Sequence, residues 1–488
     1  MGSQGQQLHI FVFPLMAPGH LLPAVDIAKL FAAKGVRVSI ITTAGEERAI
    51  ETSLCRSTEA GHRVRTLLVE WSSSAVGLPD NLSSVKTPDM HMDFLVSTPA
   101  LRPSFERLVK NHRPAAIVTD MFFPWTAEVA EEVRIPRLVF HGTSFFYLCI
   151  KGKLNLAAAS QESHTDSGDR FVIPGIPHRI ELIRSQVIDT KRLRPDFADM
   201  LMKIMEAEGR SYGTVVNSFY ELEPDYADHY RNVIGRKAWH IGPVFLRNED
   251  AADNAVRGGK CAVDQAIFSR WLDSKAASSV LYVCFGSLSR FKVTQVREIA
   301  AGLESSGHPF IWVVKNSGQG NSSGQWLPEG FEERVAESGM GMIIRGWAPQ
   351  VLILNHVAIG GFLTHCGWNS SLESVSAGLP VVTWPMFADQ FCNERMLVDM
   401  LKVGVEIGVK TCSLVEEERD AVKAEEIASA VGRLMGDSPE AEERRRRARE
   451  LKAAARGAVE EGGSSYKDLA RLIQELSGQQ STASHVRT

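Results

Sequence analysis

The sequence predicts an α/β protein built from two doubly wound parallel sheets. Three observations carry this expectation. Short β-branched runs recur along the 488 residues, each followed by a turn signal and a helical pattern. The strand-and-helix rhythm breaks at a polar, Gly-rich stretch, Arg247 to Lys260, and then restarts. About ten parallel strands is also near the upper limit for one open twisted sheet, which favours two sheets.

In chain order, strands are expected at Leu8 to Phe13, Val36 to Thr43, Val64 to Glu70, Ala115 to Thr119, Arg137 to Phe140 and Thr214 to Asn217, with helices such as Leu21 to Lys34 and Pro124 to Glu132 between them. Ala238 to Phe245 ends this half, giving a first domain over 1–245 and a linker over 246–262. The second half opens with a helical stretch, Val263 to Ser274. Strands follow at Val280 to Phe285, Phe310 to Lys315, Met342 to Gly346, Gly361 to Thr364 and Pro380 to Thr383, within a second domain over 263–460. The polar loop Asn316 to Gln325 is expected to be mobile. The arginine run Arg444 to Arg447 is bracketed by Glu442, Glu443 and Glu450 at helical spacing, which makes it a solvated helix face and not a basic patch. Ser465-x-x-Asp468 then opens a final helix with Leu469, Ile473 and Leu476 on one face. That helix, 461–477, is expected to pack back on the first domain, leaving 478–488 as a disordered tail.

Composition excludes several classes. With 44% hydrophobic and 23% charged residues the chain is an ordinary globular protein. Its 54 Lys+Arg against 58 Asp+Glu give a formal charge of -4, too near neutral for the field that nucleic acid demands. The seven scattered cysteines form no Cys-x-x-Cys pair, and no apolar run approaches a membrane span. No secretory signal is visible, so a reducing, cytoplasmic setting is expected.

The segment from Trp347 to Gln390 carries the most chemistry: WAPQVLILNHVAIGGFLTHCGWNSSLESVSAGLPVVTWPMFADQ. A strand ending at Thr364 runs into His365-Cys366-Gly367-Trp368-Asn369-Ser370, with a helix expected to start near Ser371. Such a turn aims backbone N–H groups and the positive end of a helix dipole at one point, which suits a diphosphate, and Gly367 would permit close approach. Ser370-x-x-Glu373 is equally a capping box and Gly378 a helix stop, which would account for several of these residues without any ligand. In the first half, His20 follows the first strand at a turn-to-helix junction and Asp120 follows another strand on the same sheet edge. A neutral imidazole could take a proton from a hydroxyl there, with Asp120 orienting it; structural roles for both are the alternative. No G-x-G-x-x-G after a strand, P-loop or H-E-x-x-H occurs, and Asp-x-Asp is absent.

This segment resembles the signature box of the plant family-1 UDP-sugar-dependent glycosyltransferases, from its opening Trp-Ala-Pro-Gln through His-Cys-Gly-Trp-Asn-Ser to its closing Asp-Gln. The likeness extends along the chain through Phe13-Pro14, Gly19-His20, Trp239-His240-Ile241-Gly242-Pro243 and Val283-Cys284-Phe285-Gly286-Ser287, and Ile173-Pro174-Gly175 with Arg184-Ser185-Gln186 resembles the subgroup acting on flavonoids and terpenoids. The resemblance implies two facing Rossmann-like domains of the GT-B type with the active site in the cleft between them. It implies that Trp347 stacks on uracil, that the Ala348 backbone and Gln350 bond the uracil edge and ribose, and that Glu373 accepts from the ribose hydroxyls. His365, Asn369, Ser370 and Ser287, beside Gly367, would hold the diphosphate in place of a metal, and Trp368, Asp389 and Gln390 would address the sugar. His20 and Asp120 match the family's catalytic pair. The implied reaction is inverting, metal-independent transfer of glucose from UDP-glucose, a co-substrate with no further cofactor, to a hydroxyl of a small lipophilic acceptor: a flavonoid, another phenol, or a terpenoid or steroid. Phe122, Phe123, Phe145 and Phe387 are expected to line the acceptor pocket, and the protein is expected to be a monomer without nucleic-acid or membrane partners. A non-catalytic sugar-nucleotide sensor is the alternative.

Overall fold

The computed structural model describes residues 7–71, 77–85, 87–159, 170–189, 193–247, 257–258, 262–314 and 327–485. The expected mobile loop 316–325, much of the expected linker and the last residues of the expected tail lie outside this set. The chain divides into two compact units, one of 1–145, 189–253 and 457–488 and the other of 146–188 and 254–456.

The first unit holds a seven-stranded parallel sheet. Its strands are β1 (His9–Phe13), β2 (Arg37–Thr42), β3 (Val64–Leu68), β4 (Ala116–Asp120) and β5 (Arg137–Phe140), then, beyond two strands of the other unit, β6 (Arg170–Val172) and β7 (Glu181–Ile183), β8 (Gly213–Val216) and β9 (Ala238–His240). The order across it is β3-β2-β1-β4-β5-β8-β9. A sheet covered on both faces must be apolar on both, and β1, HIFVF, is buried at every position. Its core packs Ile10, Val12, Val38, Ile40 and Leu138 against Phe31 of helix Pro18–Ala33.

The second unit holds a six-stranded parallel sheet of β10 (Val280–Cys284), β11 (Phe310–Val314), β12 (Gly341–Arg345), β13 (Ile359–Thr364), β14 (Val381–Thr383) and β15 (Gly404–Glu406). The order is β12-β11-β10-β13-β14-β15. Leu281, Val283, Trp312, Leu363 and Val382 meet Ile427 and Val431 of helix Ala424–Met435 in its core. The antiparallel pair β6-β7 also belongs here.

Two boundaries differ from the sequence expectation. Residues 146–188 join the second unit and not the first, tied to it by the Cys412 N–H donating to the Ser185 carbonyl at 2.7 Å. Chain continuity had suggested otherwise, and a crossing of this kind leaves no trace in local pattern. The final helix runs Ser464–His485, past the expected end at 477, because no Gly-Pro stop follows Gly478. It belongs to the first unit, where Leu469, Leu472 and Leu476 enter the core and Asp468 receives the Arg231 guanidinium at 2.7 Å. The arginine run lies on helix Pro439–Val459, paired to Glu442, Glu443 and Glu450. Among the described residues, no helix is long and apolar enough to cross a membrane.

Candidate functional site

Each sheet reverses its strand order once at the middle, and each reversal opens a crevice at the carboxyl ends of the two strands flanking it. His20 and Asp120 lie at the first reversal and Ser287 and His365 at the second, whereas Trp347, Ala348 and Gln350 follow the edge strand β12 and Asp389 and Gln390 follow β14.

In the first unit the reversal lies between β1 and β4, paired Phe13 to Thr119. Beyond β1 the chain turns and enters helix Pro18–Ala33, Pro18 supplying the preset φ of a first helical position, and His20 stands in the first turn. Asp120 is the last residue of β4. His20 Nδ1 and Asp120 Oδ2 are 2.6 Å apart. The carboxylate is buried, and its Oδ1 accepts the Phe122 N–H at 3.1 Å, so its direction is fixed. With the proton on Nδ1 shared toward Asp120, the lone pair sits on Nε2, and 22% of the side chain remains exposed. Phe122 presents its ring to His20 edge-on, centroids 5.8 Å apart.

In the second unit the reversal lies between β10 and β13, paired Cys284 to Thr364. The turns after them, Phe285-Gly286-Ser287 and His365-Cys366-Gly367, enclose the His365 ring: a Cβ at Gly286 or Gly367 would collide with its Nε2. Burial pushes the imidazole down to about 4, so it is neutral near pH 7, and its Nδ1 is buried with no partner. Helix Trp368–Ala377 starts at Gly367 with no side-chain cap. This settles the capping alternative. The helix begins three residues earlier than expected, so Ser370 and Glu373 lie inside it and face Gln350 instead of the backbone. Gln350 Nε2 donates to Ser370 Oγ at 3.0 Å and to Glu373 Oε2 at 2.7 Å. Gly378, φ +77, does stop the helix.

Glu373 has a second partner that no motif marks. Arg257 Nη1 reaches Glu373 Oε1 at 2.6 Å, with side-chain exposures of 10% and 5%. The Arg257 carbonyl accepts the Trp347 indole N–H at 3.1 Å, and Gly258 lies so close to that indole that a Cβ there would overlap it. Trp347 and Glu373 are thus brought together, and a segment of the chain engages both. Ala348 is buried beside them.

At the end of the box, Gln390 Oε1 accepts from Met386 and Phe387 N–H at 2.8 and 3.1 Å, and the side chain is buried. Asp389 is held by Asn393 Nδ2 at 2.9 Å. Of the expected acceptor aromatics, Phe123 and Phe145 are corrected: both are fully buried, Phe123 stacked on Phe13 at 4.3 Å and Phe145 packed on Tyr230 and His240. Strand ends collect core aromatics as readily as ligand-facing ones. Phe387 lies in the second unit under the Arg419 guanidinium.

A protein-family model described as "UDP-glucoronosyl and UDP-glucosyl transferase" matches residues 200–426. A scopoletin glucosyltransferase of Nicotiana tabacum is 45% identical, the match covering 98% of this chain and 99% of that one. Glycyrrhiza uralensis UGT73P12, solved with glycyrrhetinic acid 3-O-monoglucuronide, superposes with a TM-score of 0.91 at 39% identity, covering 99% of this chain and 98% of that one. Medicago truncatula UGT71G1, solved with UDP-glucose, gives a TM-score of 0.79 at 28% identity over 98% and 100%.

Proposed function

This chain belongs to the plant family-1 UDP-sugar-dependent glycosyltransferases, and from that premise we propose that it moves glucose from UDP-glucose to a hydroxyl of a small lipophilic acceptor, in the first instance a phenol. The observation that carries the reading is the His20–Asp120 pair at 2.6 Å on the reversal point of the first sheet. His20 Nε2 takes the acceptor hydroxyl proton as the oxygen attacks the anomeric carbon. The bond from that carbon to the β-phosphate oxygen breaks, and UDP departs with the electron pair. Asp120 stabilises the imidazolium, a role that needs its buried, fixed carboxylate. Attack from the face opposite UDP inverts the anomeric centre to a β-glucoside.

On the donor side, Trp347, Ala348 and Gln350 receive uracil and ribose and Glu373 the ribose diol. His365, Asn369, Ser370 and Ser287 meet the diphosphate at the uncapped start of helix Trp368–Ala377, close to the backbone of Gly367, and Trp368, Asp389 and Gln390 meet the sugar. A helix terminus and neutral donors there replace a metal ion. Scopoletin, the acceptor in one relative's name, is a phenol, and the triterpenoid glucuronide bound to another relative keeps terpenoids within the proposed range. Mass spectrometry of products formed from UDP-glucose with a panel of flavonols, coumarins and terpenoid alcohols tests this. A protein that binds UDP-glucose but releases no UDP with any member would return the reading to a sensor.

A further inference from the structure

We propose that Asn393, three residues beyond the signature box, is the positioning residue that holds the sugar-facing end of the donor site in register with its diphosphate loop. The proposal rests on the donor reading above. One amide group joins the two segments: Asn393 Nδ2 donates to the Cys366 carbonyl and to Asp389 Oδ2, both at 2.9 Å. Cys366 lies between His365 and Gly367, which meet the diphosphate, and Asp389 is a sugar-facing residue. Asn393 is fully buried, so no water competes for these bonds.

The orientation of the amide is fixed. Its Oδ1 is buried without a partner, and turning the group over would set that oxygen against two others. The same two joints carry backbone strain. Cys366 has φ +63 and Ala388, immediately before Asp389, has φ +57, left-handed conformations that disfavour side chains other than glycine. Non-glycine residues persist there when their surroundings over-determine them, and such strain gathers at functional sites. The Asn393 amide supplies that determination at both joints. Gln390, through its bonds to Met386 and Phe387 N–H, secures the other side of the same turn.

The experiment compares wild type with Asn393→Ala and Asn393→Asp by calorimetric titration with UDP and with UDP-glucose, beside melting curves. A supporting shell that holds a sugar contact affects UDP-glucose more than UDP. In Asn393→Ala the ratio of the UDP-glucose Kd to the UDP Kd should rise by about threefold or more over wild type. Asn393→Asp keeps the volume but sets a carboxylate against Asp389 and the Cys366 carbonyl, so its ratio should rise at least as far. A pure packing role predicts the reverse order, because the isosteric change would then be the milder one. A ratio below about threefold in Asn393→Ala, or a smaller rise in Asn393→Asp than in Asn393→Ala, overturns the proposal. Should Asn393→Ala not fold, Asn393→Ser, which keeps a donor of shorter reach, is measured against the same threshold. Wild type binding neither ligand would overturn the donor reading itself, a result distinguishable from either.

Discussion

Replacing Arg257 by Ala should tighten UDP binding. Arg257 occupies one oxygen of Glu373 with a charge-assisted hydrogen bond at 2.6 Å, in a pair about nine-tenths withdrawn from water. On the proposed donor reading the ribose hydroxyls of UDP bind that carboxylate, so the nucleotide would compete with the chain's own guanidinium. A hydrogen bond to a charged group contributes about 1.5 to 3 kcal/mol. If UDP must displace most of it, removing the competitor recovers about 1 to 2 kcal/mol, a gain in affinity of roughly 5- to 30-fold. The free variant should also melt lower than the free wild type, since Glu373 would keep Gln350 but lose its counter-charge, a loss that costs up to a few kcal/mol. UDP should therefore raise the melting temperature of Arg257→Ala more than that of wild type. Calorimetric titration and melting curves with and without UDP measure both quantities. An affinity for UDP that is unchanged or weaker in Arg257→Ala would refute the competition and place Arg257 among the groups that hold the nucleotide.

Four further outcomes are expected. His20→Ala should lower kcat by about 10² to 10⁴-fold with little change in the Kd for UDP, and Asp120→Asn should cost less; a kcat within about threefold of wild type would remove His20 as the base. Because burial holds His365 at about 4 against 6.5 in the unfolded chain, its contribution to stability is complete above pH 6.5 and is lost as pH falls toward 4, by at most about 3 kcal/mol given its partial exposure. Denaturant titrations should show His365→Gln with a flatter stability profile across that window. EDTA should leave the rate nearly unchanged, and a loss above about tenfold that magnesium restores would contradict the proposal that a helix terminus and neutral donors hold the diphosphate without a metal. Leu472→Ala, at a fully buried position of the final helix, should cost about 2 to 5 kcal/mol in equilibrium unfolding.

Both sheets were legible in the sequence because a parallel strand buried on two faces must be a continuous apolar run, and Val280–Cys284 and Ile359–Thr364 are such runs. The short strands Arg170–Val172, Glu181–Ile183 and Gly404–Glu406 were not: unlike the equally short Val381–Thr383, which is β-branched throughout, each contains a charged residue and no continuous apolar run. His20 and Asp120 were legible as strand-end residues, but their 2.6 Å contact depends on β1 and β4 being neighbours, which is a matter of sheet order. Arg257 and Asn393 went unnoticed for different reasons. Arg257 stands in a polar stretch where charge is unremarked, and Asn393 lies on a short helix where a buried amide looks like any surface one. The capping-box pattern at Ser370 and Glu373 misled because the helix begins at Trp368, and a difference of three residues turns a cap into an interior face.

The final helix has a consequence for how the protein is made. Leu469, Leu472 and Leu476 are part of the first unit's core, yet they leave the ribosome after the whole second sheet. At about 5 to 20 residues per second, tens of seconds separate the emergence of β1 from that of the residues that wall its core. During that interval the early sheet exposes an apolar face suited to chaperone capture, while the strands and helices between residues 254 and 456 can already close around their own interior. The unit whose synthesis starts first is therefore the one whose folding finishes last.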